Sequence, residues 1–152
     1  MQHNRCLVLC LIFASLIFLL LPLSGCGPDT PATYPVKGKV TFPDGSPVTG
    51  GIVGFELMID DLTKAHNARG KILEDGSYFL TTFDKEGDGA VPGRHRVIVQ
   101  EPYPEADIDE GEVLPPQAID PKYRTYVGSG LEFEVKEEEN VIDITVTQPG
   151  GG

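Results

Sequence analysis

The chain has 152 residues, a single domain by size, and carries 23 acidic against 12 basic side chains for a formal net charge of −11 at pH 7. That balance excludes nucleic acid as a partner, because phosphate binding needs a basic face. It also disfavours docking on an anionic membrane surface; a solvated acidic surface is the ordinary consequence, with cationic partners and divalent ions left open. The three cysteines are Cys6, Cys10 and Cys26, so the body of the chain has no thiol for a disulfide, a zinc site or a nucleophile.

Leu7 to Leu23 is an apolar run, preceded by Arg5 and followed by Ser24-Gly25-Cys26 and then Gly27-Pro28-Asp29. A positive start, an apolar core and small residues before a cut are what a secretory signal requires. The run of about 17 residues falls short of the ~20 that a membrane-spanning helix needs. A transmembrane anchor and a signal cut elsewhere stand as alternatives. Leu23-Ser24-Gly25-Cys26 resembles the lipobox of bacterial lipoproteins. The resemblance implies that residues 1–25 are removed and that the Cys26 thiol receives a diacylglycerol. With a further acyl chain such as palmitate, Cys26 would fasten the protein to a membrane on the extracytoplasmic side of the cell envelope, since two chains hold where one does not. Residues 26–33 would be a short Pro-containing tether that keeps the domain near the membrane.

From Tyr34 the pattern has period two. Val36, Gly38, Val40 and Phe42 alternate with Lys37, Lys39 and Thr41, which predicts a half-buried strand. Pro43-Asp44-Gly45-Ser46-Pro47 is a turn. Val53, Phe55 and Leu57 line a second strand, Asp60 to Asn67 a polar loop, and Ala68, Gly70 and Ile72 a third strand. Glu74-Asp75-Gly76-Ser77 is a tight hairpin turn into a fourth strand at Tyr78 and Leu80. An acidic Gly-rich loop, Asp84 to Gly93, precedes a fifth strand through His95, Val97 and Val99. Leu131, Phe133 and Val135 make a sixth strand, and Ile142, Ile144 and Val146 a seventh; no window outside the leader reads as a helix. Seven short strands with regular turn signals predict an all-β, seven-stranded antiparallel Greek-key sandwich over residues 34–147, with 148–152 a flexible tail.

Three segments in order, Val36-Lys37-Gly38-Lys39-Val40 leading into Pro43-Asp44-Gly45-Ser46-Pro47, then Asp75-Gly76-Ser77-Tyr78, then Pro92-Gly93-Arg94 to Val99, resemble the carboxypeptidase regulatory-like domain. That domain is a transthyretin-like or prealbumin-like sandwich. The chain also resembles small exported lipoproteins that carry this domain alone, through Pro121-Lys122-Tyr123 and Ser129-Gly130-Leu131. The resemblance implies an accessory module with no catalytic centre and no cofactor. It leads one to expect an aromatic where His95 stands. The transthyretin-like fold also includes a hydroxyisourate hydrolase whose chain ends in Tyr-Arg-Gly-Ser; here the last residues are Gln148-Pro149-Gly150-Gly151-Gly152, so the resemblance fails where that chemistry would be.

Few residues offer chemistry. His95 reads either as a core histidine replacing an aromatic or as a metal ligand or base, with His66 as a second candidate. Asp84, Glu86 and Asp88 before Gly89 imitate the start of a calcium loop. The pattern would need Asp or Asn at 86 and Glu at 95, so they are weak metal candidates or simply solvated acids. Glu101 to Val127 is long for a connection in a compact domain. Within it Tyr103, Tyr123, Arg124 and Tyr126 could stack on a sugar, grip a peptide, or pin the loop to the sandwich. The expectation is a non-catalytic, lipid-anchored envelope module presenting loops to a protein or glycan. The rivals are an envelope hydrolase or metal-dependent enzyme using His95 or His66 with loop carboxylates, and a weak calcium-dependent adhesion module.

Overall fold

Two β-sheets face each other across a shared apolar core in the computed structural model, which describes residues 30–102 and 118–151. The chain divides into two units after Thr30, and both sheets belong to the second, Pro31–Gly152. The expected signal peptide (residues 1–25), Cys26 and Tyr103 lie outside the described residues. Among the described residues no helix is long and apolar enough to cross a membrane.

The strands follow the alternation. They are β1 (Val36–Thr41), β2 (Ile52–Leu57), β3 (Ala68–Lys71), β4 (Ser77–Phe79), β5 (Gly93–Gln100), β6 (Leu131–Val135), β7 (Asn140–Val141) and β8 (Ile144–Thr145). One sheet has β1 at its centre, with β4 on one side and β7 and β8 on the other. The other runs β3-β2-β5-β6 and is antiparallel throughout.

Phe55 sits at the middle of the core, opposite Val97 on β5 and Ala68 on β3. Its ring lies 6.4 Å from Tyr78 of the facing sheet, 5.8 Å from His95 and 6.4 Å from Phe133. Edge and offset contacts of this kind add to the burial of the rings themselves. Val53, Val97 and Val99 are fully buried beside it, and Val36, Val40, Leu80 and Ile144 close the core from the first sheet.

The Asp75-Gly76-Ser77 turn carries the chain from one sheet to the other. The Asp75 carboxylate accepts hydrogen bonds from the Ser77 amide (3.0 Å) and hydroxyl (2.5 Å), and Gly76 takes a φ of 80°. The same Asp-Gly-Ser device recurs at Asp44-Gly45-Ser46. These are short local bonds in which an aspartate mimics a backbone turn. Arg69 and Thr81 then exchange both backbone hydrogen bonds, so the hairpin stitches the second sheet to the first.

Three expectations are corrected. The sandwich is not antiparallel throughout, because β7 and β8 run parallel to β1. The last strand is not continuous: the ladder breaks at Ile142 and Asp143, although the register is the same on both sides of the break. At the break the Ile142 carbonyl turns over Gly38 and accepts from the Tyr78 hydroxyl (2.7 Å), while the Lys39 amide donates to Asp143 Oδ1 (2.9 Å). Side chains thus satisfy both backbone groups that the ladder abandons: the Ile142 carbonyl in a buried bond, where an unpaired group is costly, and the Lys39 amide in an exposed one. Lastly, helical turns do occur: Leu62–Lys64, Pro121–Arg124, and one α-turn, α1, at Tyr126–Ser129.

Candidate functional site

The segment from Ala118 to Gly130 positions the candidate site, and its sequence explains its path. Ile119 and Tyr123 are buried. Tyr123 accepts at its hydroxyl from the Thr147 amide (3.3 Å), and its ring lies under the Lys122 ammonium at 5.0 Å. Asp120 accepts from the Lys122 amide (2.9 Å), with Pro121 opening the turn. Thr125 Oγ1 accepts from the Gly128 amide (3.1 Å), and Gly130 ends α1 with a left-handed φ of 64°. With Tyr123 committed inward, Arg124 and Tyr126 reach the outer face of the β3-β2-β5-β6 sheet.

There they meet Arg69, Gln100 and the strand residues Ile52, Gly54 and Ile98 around a shallow pocket of about 240 Å³. Gly54 lies between Arg69 on β3 and Ile98 on β5 in the register. A methyl added at Gly54 would come within 2.9 Å of Ile98 Cγ1 and 3.0 Å of the Tyr126 hydroxyl, so the glycine is what lets the tyrosine lie against the sheet. Burial raises the Tyr126 phenol pKa; neighbouring Arg69 opposes this and Glu56 reinforces it. Among the described residues the Tyr126 hydroxyl has no hydrogen-bond partner and Arg69 no ion pair.

Glu101 braces this face. Its Oε1 accepts from the amides of Ala118 (2.6 Å) and Ile119 (3.0 Å), and its Oε2 lies 3.5 Å from the Arg124 guanidinium. Gln100 Nε2 reaches the Arg124 carbonyl at 3.4 Å. Strand β5 therefore ends by gripping the returning segment.

Of the four residues singled out by sequence for ligand binding, the structure brings Arg124 and Tyr126 together and turns Tyr123 into the core. Tyr103 lies outside the described residues. Arg69, Gly54, Ile98, Gln100 and Glu101 went unrecognised. The available signal was Gly54 itself, a glycine in a strand interior and a mark of close approach, with Arg69 on the wet phase of its own strand.

The other candidates are placed elsewhere. His95 is fully buried; its Nε2 lies 2.8 Å from the Val91 carbonyl and its Nδ1 has no partner. A carbonyl accepts only, so Nε2 carries the proton. Burial lowers the His95 pKa below the usual histidine value, and the Val91 bond offsets this in part. His66 packs edge-on against Phe83 at 5.2 Å. In the acidic loop, Asp88 accepts from the amides of Thr82 (2.7 Å) and Phe83 (2.9 Å), while Asp84 and Glu86 are exposed. Among the described residues no three histidine, cysteine or acidic side chains gather where they could hold a metal ion.

Comparison with known proteins finds no matching family model, no matching curated relative and no matching solved structure.

Proposed function

We propose that this protein is a non-catalytic binding module, lipid-anchored at Cys26 to the bacterial cell envelope, that offers the outer face of its second sheet to a glycan or protein partner. The seven-strand Greek-key sandwich of the carboxypeptidase regulatory-like kind belongs to the same proposal. It is supported by the two facing sheets and by the Asp-Gly-Ser turns at 44–46 and 75–77.

The observation that carries the reading is the pocket of Arg69, Gln100, Arg124 and Tyr126. It gathers cationic and hydroxyl donors on a chain whose net charge is −11, and its described lining is arginine, glutamine, tyrosine and apolar residues, not the histidine or carboxylate that hydrolysis uses. The buried ring of His95 and the Phe83-packed ring of His66 are remote from that chemistry in kind: each is occupied by core or loop packing. The anchor rests on Leu23-Ser24-Gly25-Cys26.

Mass spectrometry of the membrane form tests the anchor. Acylated Cys26 at the amino terminus is expected, with release into the soluble fraction on Cys26→Ala; an unmodified Cys26 overturns it. Affinity capture from solubilised envelopes tests the face. A partner retained by the intact lipoprotein and lost with the Arg124→Ala/Tyr126→Ala double variant is expected, and capture indifferent to that change refutes it.

A further inference from the structure

We infer that the pocket on the second sheet is a subsite for one acidic sugar residue, a uronate, whose carboxylate is taken by Arg69. This rests on the reading of that face as the binding surface and goes further by naming the ligand chemistry.

Four observations lead there. Arg69 presents a guanidinium with no ion pair among the described residues, whereas Arg94, Arg96 and Arg124 each face a carboxylate, on Glu132, Glu56 and Glu101. A free guanidinium matches the two oxygens of a carboxylate in one plane. Around it the pocket offers both hydrogen-bonding senses. The Tyr126 hydroxyl donates and accepts, and Gln100 uses its Nε2 on the Arg124 carbonyl and keeps its Oε1 for a donor. Sugar hydroxyls need that mixture; a simple anion does not. Beside the tyrosine, Ile52 and Ile98 supply apolar surface, which suits the C–H face of a sugar ring. Finally, the volume of about 240 Å³ lies below the ~300 Å³ at which pockets for drug-sized ligands begin, so it accommodates one ring of a chain.

The position discriminates between a glycan and a peptide. The pocket lies on the face of the sheet over β3, β2 and β5, and the outer side of the terminal strand β3 is already engaged at Arg69 by the backbone of Thr81. A peptide bound by strand addition needs an open edge, and none is offered here.

The test uses the full-length protein in detergent micelles, with amide chemical shifts followed during titration with glucuronate, glucose, acetate and a tetrapeptide bearing a free carboxyl terminus. Glucuronate is expected to shift Gly54, Ile98 and Tyr126, with glucose and acetate each at least tenfold weaker, and with binding that weakens as salt rises. Arg69→Gln, an exposed change that leaves the strands intact, should weaken glucuronate at least tenfold. Gly54→Ala should abolish it by displacing Tyr126 while leaving Arg69 in place. Glucose equal to glucuronate, a tighter tetrapeptide, unchanged binding by Arg69→Gln, or no shift at millimolar glucuronate each overturns the inference. If the intact lipoprotein still captures a partner through Arg124 and Tyr126, the wider reading survives that result.

Discussion

The two sheets solve the same problem by opposite means. In the β3-β2-β5-β6 sheet the backbone ladder is regular and the outward side chains carry little of the fold: Arg94 with Glu132 and Arg96 with Glu56 are partly or largely solvated pairs. In the β1 sheet the ladder fails beside Gly38, and Tyr78, Asp143 and the missing side chain of the glycine repair it. A regular ladder leaves its outer face free to vary, and that is where the pocket lies. A repaired ladder ties particular residues to the fold and leaves them nothing to spare for a ligand.

The largest expected effect comes from Gly38→Ala. The new methyl would overlap the Ile142 carbonyl and come within 3.2 Å of the Tyr78 ring, so the terminal strand must move. A loss of about 4 kcal/mol or more is expected in urea unfolding, the range of severe core defects. Next is Tyr78→Phe, which strands the Ile142 carbonyl; burial, and then the nearby Asp143 charge, already hold that phenol far above its usual pKa. About 1–3 kcal/mol should be lost, the cost of an unsatisfied buried acceptor. If either change proves as mild as a surface substitution, the contrast between the sheets dissolves.

His95 on β5 sharpens the comparison from the inside. Its folded-state pKa is depressed by burial from the usual value of 6.5, so the unfolded chain binds the proton more readily. The stability this neutral ring contributes is whole above pH 6.5 and falls as pH drops from there toward the folded-state pKa. The lowered carboxyl pKa values of Asp44, Asp75 and Glu139 act further down, below the ordinary carboxylate range. Thermal melts of His95→Phe should therefore depend less steeply on pH than wild type as the pH falls below 6.5. The smallest effect belongs to Arg69→Gln, an exposed cation with no ion pair among the described residues, which should alter stability by no more than ~0.5 kcal/mol. A loss equal to that of Tyr78→Phe would show that the outer face bears weight after all.

Strand positions were legible because period-two alternation states which side of a strand faces the core: Val53, Phe55, Leu57, Val97 and Val99 all lie inward as read. Alternation is silent on which neighbour a strand takes and in which direction. The parallel pairing of β7 and β8 with β1 therefore had no local signal. Hydroxyl and carboxylate stand-ins were hidden for the same reason; Tyr78 reads as a core aromatic and Asp143 as a wet residue until their partners are known. At the site, Arg124 and Tyr126 were visible as unusual residues in a long connection. Arg69 was invisible, since a cation on the outer phase of a short strand looks like ordinary solubility. Only the fold brings it beside Arg124, 55 positions away in sequence, across Gly54 on the outer phase of β2.

The parallel docking of the terminal strand also has a kinetic meaning. Lys39 finds its Asp143 partner 104 positions along the chain. Until residues 140–145 have been made, one flank of β1 stays bare, and long-range pairing of this sort is slow to form. A chain that delays its own completion in this way stays pliable while it is being made, and its first sheet is the last part of the sandwich to close.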